Sequence, residues 1–268
     1  MRQIARWMWI VLAINSALTG CTSVVSSNKQ STATAQAYRI IGLATQMGKS
    51  AQATLIAENE QATATAQART ILLKDGQSWP QQLSDPFNGN VYGWTTGDEN
   101  NPELAQIQWS IEGGKYRWQA QAVSGFVWWV VPEQEAVSDF YLVVTAHQVN
   151  HPEAGEYGLI FRQVDENNYY LFEINEQGEC ALFIYSPNGW EVLIDWASQP
   201  AVTPGKENRL AVLAHQDVFD FYINDRFIAE YRDERLPSGK TGLLIGLSNP
   251  GDEAKWEFDD FELRAPSR

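Results

Sequence analysis

Two cysteines, Cys21 and Cys180, allow at most one disulfide, so this 268-residue chain is not a cystine-stapled scaffold and must hold together by packing. Three histidines, His147, His151 and His215, are too few to build a metal centre. His147 and His151 have the i, i+4 spacing that joins ligands on a helix, but the first falls in a strand-like run and the second beside Pro152. No G-x-S-x-G, phosphate loop or dinucleotide fingerprint occurs, and neither a metal nor a cofactor is expected. No apolar run reaches the ~18 residues of a membrane span. Positive charge is scarce too: 19 Lys and Arg face 33 Asp and Glu, a net charge of −14 that repels polyanions and argues against a nucleic-acid partner.

What is present is unevenly distributed. Residues 1–74 carry a net +5 and no proline, whereas residues 75–268 carry −19, all 11 prolines and nine of the 11 tryptophans. This break marks a domain boundary at 74/75. Arg2 and Arg6 precede an apolar run from Trp7 to Ala17, the pattern of an export signal over residues 1–20. The following Leu18-Thr19-Gly20-Cys21 resembles the lipobox of bacterial lipoproteins, which implies acylation of Cys21 and anchoring to the cell membrane or outer membrane, outside the cytoplasm. With Cys21 lipidated, Cys180 has no disulfide partner, and its apolar strand makes it a small buried hydrophobe. Residues 21–74 are rich in Ala, Thr and Gln, repeat ATAQA at 33–37 and 64–68, and read as a helical stalk or a flexible spacer.

From residue 75 the texture changes to short β-branched and aromatic runs separated by Gly, Pro, Asn and Asp. Strands are predicted at 106–111, 115–121, 126–131, 139–149, 157–163, 168–174, 179–185, 190–196, 208–214, 218–223, 226–232, 241–247 and 255–263. So many short strands indicate an all-β sandwich or barrel. In the central runs Tyr157, Leu159, Phe161, Tyr170, Phe172 and Ile174 share one parity, the core face. With four-residue hairpin loops, Ala181, Phe183, Val192 and Ile194 join that face. The opposite face then carries three rows: Arg162, Tyr169, Ile184 and Glu191; Ile160, Leu171, Leu182 and Leu193; Gly158, Glu173, Cys180 and Asp195. Such an apolar strip between charged rows is either a shallow binding surface or the seat of a covering loop.

The segments YGLIFRQVDENNYYLFEI (157–174), Gly189-Trp190, NRLAVLA (208–214), FYIND (221–225), GLLIG (242–246) and WEFDDFEL (256–263) together resemble the concanavalin A-like lectin/glucanase superfamily, nearest to laminin-G-like and 3-keto-disaccharide hydrolase-type modules. The resemblance spans about residues 85–264 and implies a jelly-roll sandwich of two antiparallel sheets that in many relatives holds sugars. Function does not follow from such a fold. The E-x-D-x-E strand of laminarinase-type relatives is absent; the nearest substitute, Glu173 with Asp195, lies two strands apart, ~10 Å, too wide for a retaining glycosidase. Arg162, Tyr169, Glu191 and Trp129 offer a fork donor, stacking planes and an acceptor for a sugar. The sequence therefore supports recognition of carbohydrate or another cell-envelope component without catalysis, with glycoside or keto-sugar hydrolysis and a structural or protein-binding role as alternatives.

Overall fold

The computed structural model describes residues 27–150 and 154–267; the export segment, Cys21 and His151 lie outside the described residues. Among the described residues one helix, α1 (Ser27–Ser78), crosses the boundary seen in the composition. Its contacts divide within it, since one compact unit ends at Ala66 and the other runs from Gln67 to the C-terminus.

Among the described residues, nine strands form one antiparallel sheet. In spatial order they are β13 (Arg226–Arg232), β12 (Val218–Ile223), β11 (Asn208–His215), β6 (Phe140–Asn150), β15 (Glu253–Arg264), β4 (Lys115–Ala122), β3 (Ala105–Glu112) and β2 (Gly97–Asn101). The ninth, β1 (Gln81–Asp85), pairs with the C-terminal part of β15 after a bulge near Asp260, whose φ is +50°. Six strands form the second sheet: β10 (Gly189–Ser198), β9 (Glu179–Ser186), β8 (Asn168–Asn175), β7 (Glu156–Asp165), β14 (Lys240–Leu247) and β5 (Phe126–Val130). This is the expected two-sheet sandwich. Each predicted strand is present; β1 and β2 were not predicted because QQLSD and GDENN lack apolar alternation.

The core lies between the sheets, where alternate residues of both meet. Tyr157, Leu159, Phe161, Tyr170, Phe172 and Ile174 all point inward, as their parity predicts, and are essentially solvent-free. Trp118 packs edge-on to Trp109 and Phe258, filling the same layer. The last turns of α1 and the residue that follows them cover the outer face of the nine-stranded sheet over β6, β11 and β12. Leu73 and Trp79 pack on Tyr141, Val143, Ala211, Leu213 and Tyr222. A Cβ at Gly76 would fall 2.5 Å from Leu213 Cδ1, so this helix turn approaches the sheet more closely than alanine allows. Arg69 stacks 3.5 Å above the Phe227 ring and reaches Glu230 at 3.4 Å.

One register differs from the sequence expectation, and it redistributes the outer face of the second sheet. The β8–β9 connection is the three-residue Glu176-Gln177-Gly178 rather than four residues, with Gly178 at φ +81° and its N–H donating to Asn175 O. A glycine in the left-handed region closes such a three-residue hairpin. Shortening the loop by one residue turns every side chain of β9 over. Cys180, Leu182 and Ile184 therefore face the core, while Ala181, Phe183 and Tyr185 face outward. Val192 pairs with Phe183 and is exposed, and a bulge after it returns Ile194 to the core beside Leu182.

Candidate functional site

The outer face of the six-stranded sheet is laid out by its pairing. One row runs Trp129, Leu244, Gly158, Glu173 and Ala181 across β5, β14, β7, β8 and β9. The next runs Gly242, Ile160, Leu171, Phe183 and Val192. The third is Tyr169, Tyr185 and Trp190 on β8, β9 and β10. Ile160, Leu171, Leu244 and Tyr169 are fully buried even though they lie outside the sandwich core, because a layer of aromatic rings covers them.

That layer is continuous. Ring centroids are 4.6 Å apart from Trp129 to Tyr169, 5.4 Å from Tyr169 to Tyr185 and 4.9 Å from Tyr185 to Trp190. Phe183 contacts Trp190 and Trp196 at 6.4 and 6.1 Å, which extends the surface along β10. Trp190 leaves 51% of its surface in solvent, far more than a ring of this size needs for packing alone. A groove of about 710 Å³ runs along the layer, with Trp129, Tyr169, Tyr185 and Trp190 in its wall, Leu104 and Gly125 at one end and Glu166 and Asn167 of the β7–β8 turn at the other. Among the described residues no Lys or Arg lines it. Flat apolar rings with a few polar groups at the ends suit the C–H faces and hydroxyls of a sugar.

Two carboxyl groups occupy the same face beyond the groove wall. Glu173 on β8 is 3% exposed, and Glu156 on the neighbouring β7 lies across Gly246. Burial and then the charge of Asp252 push Glu156 up to about 7; burial and then Glu156 push Glu173 well above the ordinary glutamate range. In the unfolded chain both carboxyls would ionise near their ordinary value of 4.5, whereas the folded protein holds the protons. The unfolded state thus binds fewer protons between pH 4.5 and about 7, and stability must fall as pH rises through that window. Glu156 alone accounts for a loss of up to about 3 kcal/mol. The melting temperature is expected to be higher at pH 5 than at pH 8, and Glu156→Gln is expected to flatten the difference; an unchanged slope in that variant would contradict the assignment.

The residues singled out on the sequence fall into two groups. Trp129 and Tyr169 are on the outer face as expected, and they touch. Tyr169 is only 2% exposed, so it supports the wall rather than presenting a free platform. Arg162 is not a ligand-binding fork. A bulge in β7 gives it φ +48° and turns it to the end of the core, where it is 1% exposed. Its guanidinium donates to the carbonyls of Leu236, Ser138 and Gln216 and lies 4.7 Å from the Phe219 centroid. Glu191 pairs with Ile184, on the opposite side from Trp190, and accepts from Arg235 at 2.7 Å. Asp195 sits in the β10 bulge, exposed, with Oδ1 accepting from the Trp196 N–H; the acidic neighbour of Glu173 is Glu156 instead. Cys180 is buried and free, and burial pushes its thiol up. Sequence reasoning missed Tyr185, Trp190 and Glu156. The signal for the first two was Gly178, which sets the hairpin length.

No family model matches this chain, and no curated protein matches it. Solved structures do. The carbohydrate-binding module CBM66 from Bacillus subtilis matches with a TM-score of 0.50 at 22% identity, over 66% of this chain and 98% of that one. A Bacillus subtilis protein of unknown function with a galectin-like fold gives 0.50 at 16%, over 69% and 95%. A structure from work on endo-acting O-glycanases of the human gut microbiota that initiate mucin breakdown gives 0.50 at 11%, over 70% and 100%. At such identities the likeness is one of fold, and the fold is a concanavalin A-like jelly roll.

Proposed function

We propose that the outer face of the six-stranded sheet binds carbohydrate without cleaving it, through the ring layer of Trp129, Tyr185 and Trp190 held up by Tyr169. The observation that carries this reading is the exposed Trp190 at the head of a continuous aromatic wall in an open groove. Among the described residues the groove has no cation for an anionic ligand, and its apolar wall with polar ends fits a pyranose or furanose chain. A glycan array on the full chain tests it, and retention of one sugar class by the wild type is the expected result. The two alternatives appear as other outcomes: release of reducing ends from a glucan panel indicates hydrolysis, and an empty array with capture of an envelope protein indicates partner binding.

The same proposal places the sandwich outside the cytoplasm, tethered to a membrane through a lipidated Cys21. Its support is the export-signal pattern and the Leu18-Thr19-Gly20-Cys21 sequence. The N-terminal peptide of protein purified from cells is expected to carry acyl mass on Cys21, and Cys21→Ala is expected to release the protein from the detergent-soluble membrane fraction. An unmodified Cys21 peptide would remove the anchor from the account.

A further inference from the structure

Glu156 and Glu173 take no part in the aromatic wall, yet their placement is costly. Glu173 stands between Gly158 and Ala181 on the central β8, in the same cross-strand row as Trp129, three strands or ~14 Å of backbone spacing away, while Tyr169 of the wall lies on its own strand and feels its charge. That span is within the reach of one oligosaccharide. Glu173 Oε1 is enclosed without a hydrogen-bond partner, an expensive state for a buried polar atom. Glu156, only partly buried, stands next to it, with Asp252 acting on Glu156 in turn. No cationic side chain of the described residues offsets either carboxyl. Buried acids are ordinarily paired with a base or with donors, and this pair, on the same side of the sheet as the groove, has only its own protons.

We infer that the glycan held in the groove carries a protonated amine, and that this ammonium docks against the carboxyl groups of Glu156 and Glu173. The inference rests on the carbohydrate reading above and names the class of sugar. An ammonium brings three donors and a positive charge to two carboxyls that have no cationic partner, and its charge favours release of the protons they hold when the site is empty. A divalent metal ion suits the site less well, because no three His, Cys, Asp or Glu side chains converge as metal ligands among the described residues. Gly246 lies across from Glu156, and a Cβ there would fall 2.7 Å from Glu156 Oε1, so this carboxyl lies over the space that a side chain on β14 would fill. The surrounding domain, at −19, adds long-range attraction for a cationic glycan.

The test is calorimetric titration of the full chain with hexamers of glucosamine and of galactosamine, each as the free amine and as the N-acetyl form. In one pair at least, the amine form is expected to bind about tenfold tighter or better, as for a charge-assisted contact. Glu173→Gln and Glu156→Gln are each expected to bring that ratio to within about twofold while leaving the affinity for the N-acetyl form unchanged. A preference that survives both variants would assign it to the overall charge of the domain and overturn the site. Equal affinity for the amine and N-acetyl forms overturns the inference and leaves the groove reading intact. If none of the four hexamers binds, the inference falls, and the groove reading is decided by the wider array. The wild-type comparison needs no substitution, so poor folding of either variant does not remove the test.

Discussion

Replacing Arg162 by methionine is expected to lower the stability of the sandwich by about 3 to 5 kcal/mol. The guanidinium holds three separate connections at one end of the fold: the Ser138 carbonyl before β6, the Gln216 carbonyl between β11 and β12, and the Leu236 carbonyl before β14. Methionine keeps much of the apolar stem but leaves those acceptors dry, at about 1 to 3 kcal/mol each. Gly239 adds to the constraint, because a Cβ there would sit 2.4 Å from the Arg162 carbonyl carbon, so the chain around the bulge has no room to relax. For a domain of this size the loss corresponds to about 10 °C in melting temperature. Arg162→Lys should recover only part of it, since an ammonium on a shorter reach cannot match the planar fork. A normal melting temperature together with lost glycan binding in Arg162→Met would return the residue to the binding site.

Tyr169→Ala should come next, at about 3 kcal/mol or somewhat more. The ring is buried in contact with Trp129, Tyr185 and Trp190, and its removal leaves a cavity beneath the wall above Ile160 and Leu171. Both melting temperature and glycan affinity should drop, because the outer rings lose the surface that holds them in place. Tyr169→Phe keeps the volume and should preserve both. If Tyr169→Ala loses affinity while its melting curve is unchanged, the ring is a direct platform and not a support for the wall.

Much of this fold is legible in the sequence. Parity alone identifies Tyr157, Leu159, Phe161, Tyr170, Phe172 and Ile174 as core, and the adjacency of Trp128 and Trp129 requires them to face opposite ways; Trp128 packs inward against Trp109 and Trp129 outward against Tyr169. Registry was less legible, because it depends on a single turn residue. Gly178 decides a three-residue loop over a four-residue one, and with it whether Tyr185 and Trp190 form a row with Tyr169 or Ile184 and Glu191 do. Arg162 was beyond pattern reasoning for a different reason. Alternation places it outward, and only a bulge with φ +48°, supported by carbonyls from three distant loops, turns it inward. Glu156 was hidden by its position at a strand start, where a charged residue reads as a solvated end. Its partner Glu173 was visible, but distance across strands cannot be read before the register is known.

Calorimetry of the full chain with a glycan selected on the array, run side by side on wild type and Trp190→Ala, tests the central assignment most directly. Trp190 is the most exposed ring of the wall and covers little of the core, so its removal should leave the melting temperature nearly unchanged. The account predicts an affinity loss of about 10- to 100-fold, the 1 to 3 kcal/mol of an aromatic contact at the centre of a binding surface. Equal affinity of the two proteins for the same glycan would contradict it and move the binding surface away from the outer face of the six-stranded sheet.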